Sequence, residues 1–215
     1  MKPRLAVFDF DGTVLRGNTW HLFFAEELRR RRSRAPWLLA ALAIRRTRLV
    51  PAEWLQNRAL APWRGQSRAQ VEDVARAFYA AQLRPRLRTA ALAEIARHRA
   101  QGDTVVVVSA AWDVLLAPFA AEQGLLHWAG TPVAFDGDAC LGRLATPLLR
   151  GEAKVAWLRQ AFAGQAVDWA GSHAYGDEAS DLPMLGMVGS PCFVAANEAA
   201  VPAGLPAGVR RLTWA

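Results

Sequence analysis

Four consecutive valines, Val105 to Val108 in "DTVVVVSAA", leave little choice of surroundings. Alternate residues of a strand point to opposite faces, so an unbroken apolar run needs cover on both. That demands a sheet between two helix layers. Residues 4–9 form a second short apolar run and read the same way. Helical patterns follow at 85–102, ending at Gly102, at 112–123, ending before Gly124, and in "RGEAKVAWLRQAF". Further strands are expected in "SHAYG", "SPCFVAAN" and "VRRLTW", with a weak one around 131–135 and a hairpin at "DGDACLGRL". Strands alternating with helices predict an α/β fold, a Rossmann-like parallel sheet with right-handed crossovers.

Residues 18–84 break that rhythm. They carry no strand signal, open on Asn18 or Thr19 as a helix cap, and are punctuated by Pro36, Pro51, Pro62 and Gly65. Ser67 offers a second cap before a helical pattern over 67–83. The block is too long for a connection and too regular for a loop. It predicts an inserted all-helical cap after the first strand, 16–84, on a core of 1–15 plus 85–215. The segment 16–84 also holds fourteen arginines, no lysine and five acids, while the rest of the chain is slightly acidic. A basic face of this kind attracts anions, whether a charged substrate or a membrane surface. Within it, "RRRRSRAPWLLAALAIRRTR" has the basic flanks and tryptophan-bearing apolar centre of an interfacial helix. A cap helix packing on its neighbours is the plainer reading. Nucleic-acid binding would rest on charge alone and is not expected.

Several classes fall away. Two cysteines, Cys140 and Cys192, cannot build a disulfide framework, and no C-x-x-C pair offers a thiolate metal site. The apolar N-terminus is interrupted by Asp9 and does not read as a signal peptide. The longest apolar stretch of the next region, 35–44, is too short to span a bilayer as a helix. A cytoplasmic protein is expected.

The chemistry gathers at strand ends. Ligands of open parallel sheets bind at the carboxyl edge. Asp9 and Asp11 close the first strand, where a spacing of two would put both side chains on one face; Ser109 closes the valine strand, Asp177 and Asp181 follow "SHAYG", and Lys154 opens a helix just upstream. Four carboxylates around one point repel unless a cation sits among them. A hard divalent ion with oxygen ligands, Mg²⁺ where a phosphate and waters complete the shell, is the natural answer. The four histidines, His21, His98, His127 and His173, have no metal-like spacing.

"DFDGT" (9–13), "VVVSAA" (106–111), Lys154 in "RGEAKVAWL" and "YGDEASDLPML" (175–185) resemble, in order, the four motifs of the haloacid dehalogenase-like phosphatases. The later segments resemble the phosphoserine-phosphatase-like branch. The resemblance implies a Mg²⁺-dependent phosphatase acting on a small phosphorylated metabolite through an aspartyl-phosphate. It implies Asp9 as nucleophile and Asp11 as general acid and then base. It also implies metal binding by Asp9, the Asp11 carbonyl and Asp177, with Asp181 one shell out. Gly12, Ser109, Ala110 and Lys154 would serve the phosphoryl group. Asn18, His21, Glu178 and Ser180 are the candidates for substrate contact. Phosphoserine phosphatases carry a cap glutamate nine residues after the nucleophile, where this chain has Asn18, and a fourth motif G-D-G-x-N-D, where it has "GDEASD". Asn18 lacks the charge that would hold an ammonium, so phosphoserine itself is not the expected substrate. A phosphotransferase differs only in the acceptor. A catalytically silent binding protein would not be expected to keep all four motifs.

Overall fold

The computed structural model describes residues 2–30, 51–195, 205 and 208–214. The "RRRRSRAPWLLAALAIRRTR" segment lies, beyond its first two residues, outside the described residues. No helix among the described residues is long and apolar enough to cross a membrane.

Six parallel strands form the sheet, in the order β3 (His127–Thr131), β2 (Thr104–Trp112), β1 (Leu5–Phe8), β6 (His173–Gly176), β7 (Ser190–Val194) and β8 (Arg210–Leu212). The central pair obeys the two-faced rule. Ala6, Phe8, Val105 and Val107 pack into one core, and Leu5, Val7, Val106 and Val108 into another. One-residue alternation thus feeds both helix layers from the same strands.

Between β1 and β2 every described element is helical. They are α1 (Thr19–Arg30), α2 (Ala52–Leu60), a short 3₁₀ turn Ala61–Trp63, α3 (Arg68–Phe78), a wide turn Tyr79–Leu83, a second 3₁₀ turn Arg84–Arg86 and α4 (Thr89–Ala100). Ser67 caps α3 through a reciprocal capping box with Gln70. Four buried rings tie this segment to the sheet. Phe23 of α1 meets Trp63 at 5.4 Å, Phe78 at 5.3 Å and Trp112 of β2 at 5.1 Å, all edge-on. Such edge-to-face pairs stabilise by about 0.5–1.5 kcal/mol each beyond their area burial.

Past β2 come α5 (Asp113–Glu122), β3, the hairpin β4 (Val133–Asp136) and β5 (Ala139–Leu144), α6 (Glu152–Ala161) and the short α7 (Leu182–Leu185). The strand expected around 131–135 resolves into two, β3 in the main sheet and β4 in the hairpin. Gly130 makes the first possible, because a Cβ there would lie 2.6 Å from the carbonyl oxygen of Ala111. The hairpin bonds to the helical segment, with Gly65 N–H donating to Cys140 O at 2.8 Å and Cys140 N–H to Gln66 O at 2.8 Å.

Candidate active site

β1 stops at Phe8, so Asp9 and Asp11 do not share a strand face as their spacing suggests. The chain leaves the sheet at once and coils. Phe10 stays fully buried, and its carbonyl accepts from the N–H groups of Val14 and Leu15. The loop, not the pleat, brings both carboxyls to one cavity. Gly12 sets the turn with φ +75°, and a Cβ there would sit 1.9 Å from Asp177 Oδ2. Its N–H already donates to Gly17 O at 2.8 Å, so Gly12 provides room rather than a free phosphate donor. Gly12→Ala is expected to cost about 1–3 kcal/mol of stability, from backbone strain at positive φ and a displaced Asp177. A denaturation midpoint equal to wild type would refute that.

Lys154, on the first turn of α6, is the hub. Its Nζ donates to Asp9 Oδ1 and to Asp181 Oδ1, both at 2.7 Å, and all three residues are buried. The other oxygen of Asp181 accepts from the N–H groups of Asp177 (3.2 Å) and Glu178 (3.1 Å). Asp181 therefore shapes the loop after β6 and aims Lys154; its side chain does not cap α7. Gly176 permits this, since a Cβ there would lie 2.5 Å from Asp181 Cβ. Thr13 Oγ1 donates to Asp177 Oδ1 at 3.1 Å. On the opposite side Asp11 Oδ1 accepts from Thr19 N–H at 2.8 Å and from the Thr19 hydroxyl. Ser109 is fully buried in the stretch where β2 loses its regular pairing with β3. Its Oγ accepts from Ala111 N–H at 3.1 Å, which leaves its proton to donate into the cavity. Ala110 lines the cavity and its carbonyl accepts from Thr131.

The electrostatics follow from crowding. Burial pushes the Asp9 carboxyl well above the usual range, and Asp181 and Asp177 add to this against the opposing Lys154. Burial, then Asp181 and Glu178, lifts Asp177 to about 7. Burial lifts Asp11 to about 6, opposed by its hydrogen bonds from Thr19. Burial alone would lower the Lys154 ammonium, but Asp9 and Asp181 outweigh it and hold it charged. Oxygens of Asp9, Asp177 and Asp181 lie within 4.8 Å of one another. A single ammonium leaves such a group with surplus negative charge, and an all-oxygen set of this kind suits a hard divalent cation.

The cavity over this group measures about 150 Å³. All four residues expected at the substrate, Asn18, His21, Glu178 and Ser180, line it. So do Trp20, Gln56, Trp112, Leu148 and Arg150, which the motifs do not mark. Their placement depends on which helix packs over which strand. Only the C-terminal position of Trp112 in the valine strand hinted at it.

The profile of the haloacid dehalogenase-like hydrolases matches residues 6–186, and the chain belongs to that family. Among curated proteins it is 32% identical over 196 residues to Protein CicA of Caulobacter vibrioides, a match spanning 86% of this chain and 82% of that protein. Among solved structures, a Bordetella pertussis protein of unknown function superposes with a TM-score of 0.77 at 27% identity, over 90% of this chain and 91% of the other. A phosphoserine phosphatase in apo form superposes with a TM-score of 0.67 at 17% identity, over 99% of this chain and 94% of the other, which shows a shared fold.

Proposed function

We propose that the protein is a Mg²⁺-dependent phosphatase that hydrolyses a small phosphomonoester through an aspartyl-phosphate on Asp9. The observation that carries this reading is the 2.7 Å contact of Lys154 with Asp9, beside a second carboxyl, Asp11, that no lysine touches. One carboxyl is thereby aimed for attack and the other left for proton transfer. An Asp9 oxygen attacks phosphorus, the bond from phosphorus to the leaving oxygen breaks, and Asp11 gives that oxygen its proton. Water then attacks the aspartyl-phosphate, Asp11 takes its proton, and inorganic phosphate leaves. Ser109 and Lys154 donate to the phosphoryl oxygens throughout. Asp9, Asp177 and the Asp11 carbonyl would hold Mg²⁺, which when bound offsets the charge of the phosphoryl oxygens. In this reading residues 16–84 act as a cap over a core of 1–15 plus 85–215.

The test is hydrolysis of p-nitrophenyl phosphate. Turnover is expected with Mg²⁺, lost on chelation with EDTA and restored by added Mg²⁺. Turnover indifferent to chelation would remove the metal from the reading, and no turnover with any phosphomonoester would remove the phosphatase.

A further inference from the structure

The proposed chemistry leaves one charged donor on the cavity wall unassigned. Arg150 lines the cavity, exposed at its mouth. Among the described residues its guanidinium has no hydrogen-bond or ion-pair partner. Its backbone, in contrast, is held: Arg150 N–H donates to Leu148 O at 2.9 Å, and its own carbonyl accepts from Ala153 N–H at 3.1 Å. The arginine thus starts from a fixed point four residues before Lys154.

Gln56 of α2 adds a second donor. The indole N–H of Trp112 donates to Gln56 Oε1 at 2.7 Å. An indole can only donate, so this bond sets the carboxamide with its oxygen toward Trp112 and leaves the NH₂ as the group to offer. Both residues line the cavity beside the apolar Trp112, Leu115 and Leu148. The described carboxyls on the wall are Asp9, Asp11 and Glu178, and none comes from the described helices between β1 and β2. Asp9 and Asp11 belong to the phosphoryl end. Glu178 is the one group that would favour a cation, and it accepts from the Ser180 hydroxyl at 3.4 Å.

We infer that Arg150, with Gln56 on the wall of the same cavity, reads a second anionic group of carboxylate type on the substrate's leaving part. The substrate class is then a short phosphomonoester bearing that anion, not a neutral or amino-bearing one. Guanidinium suits the role because its planar donors pair with both oxygens of a carboxylate. Position at the mouth keeps the effect moderate, since solvent competes for both partners.

This inference rests on the phosphatase reading, and its test separates the two. The probes are 3-(phosphonooxy)propanoate, its uncharged amide and 3-aminopropyl phosphate, with p-nitrophenyl phosphate as the common reference, all with Mg²⁺. The acid is expected to exceed the amide in kcat/KM by about tenfold, with the amine no better than the amide. In Arg150→Gln the acid-to-amide ratio is expected to fall toward one, and in Arg150→Lys to recover in part. Where turnover of these probes is slow, their inhibition constants against p-nitrophenyl phosphate are expected to show the same order, acid tighter than amide in wild type and equal in Arg150→Gln. A wild-type ratio of one or less overturns the inference. So does a ratio unchanged in Arg150→Gln, or an amine preferred to the acid. If p-nitrophenyl phosphate is hydrolysed in any of these cases, the phosphatase reading stands without it. If all four probes are inert and no other phosphomonoester is turned over, the phosphatase reading fails and this inference falls with it; if another is turned over, inert probes overturn this inference alone.

Discussion

Asp9→Asn is expected to lower turnover of p-nitrophenyl phosphate by on the order of 10⁴-fold or more, with the fold retained. An amide of the same shape keeps the space beside Lys154 but has no anionic oxygen to attack phosphorus. Lys154 keeps Asp181 as its partner at 2.7 Å, so the loop after β6 retains its anchor. The informative comparison is turnover against a melting curve measured on the same sample. Activity within tenfold of wild type would end the aspartyl-phosphate mechanism. A collapse of the melting transition would show instead that the charge of Asp9 holds the site together.

Asp11→Asn should act differently on different leaving groups. General acid catalysis contributes about 10²–10⁴-fold when the leaving oxygen needs a proton. An alkoxide needs one, while p-nitrophenolate leaves well without it. In single-turnover experiments the variant is therefore expected to lose about 10²-fold or more with an alkyl phosphate. With p-nitrophenyl phosphate it should still release a burst of nitrophenolate, near one per enzyme. The later hydrolysis of the aspartyl-phosphate, which needs Asp11 as base, should then stall. Equal losses for the two substrates in the first turnover would contradict the proton-donor role.

Much of this architecture was legible because it follows from short-range rules. The valine run could only be a strand covered on both sides, and its residues divide between the two cores. The convergence of Asp9, Lys154, Asp177 and Asp181 follows from the order of strands and from their carboxyl ends facing one way. Other features depend on the route of the backbone between elements. The spacing of Asp9 and Asp11 suggested a shared strand face, but β1 ends one residue too early and a Gly12 turn does the work. The motif implies Asp181 one shell out from the metal, but not that, besides Lys154, its second oxygen accepts from two backbone N–H groups of its own loop. β3 was expected too late in the chain, around 131–135, because "HWAGT" is short and holds a glycine whose purpose, close approach to Ala111, shows only in three dimensions. The cavity wall was the least legible. Gln56 and Arg150 carry no motif, and lie ninety-four residues apart in the chain; Gln56 reaches the cavity against Trp112 at the end of β2, and Arg150 from the turn before α6.

The two bonds from Thr19 to Asp11 join parts of the molecule that are usually discussed separately. Thr19 is the first residue of α1, and its N–H and hydroxyl both end on one oxygen of Asp11. The side chain proposed to hand a proton to the leaving group is thus also the anchor for the first turn of α1. Both bonds fall on the same oxygen of Asp11, which leaves the other oxygen of that carboxyl to carry the proton. In Thr19→Val the hydroxyl bond is lost and the backbone one kept, so this oxygen of Asp11 would have one donor from α1 in place of two.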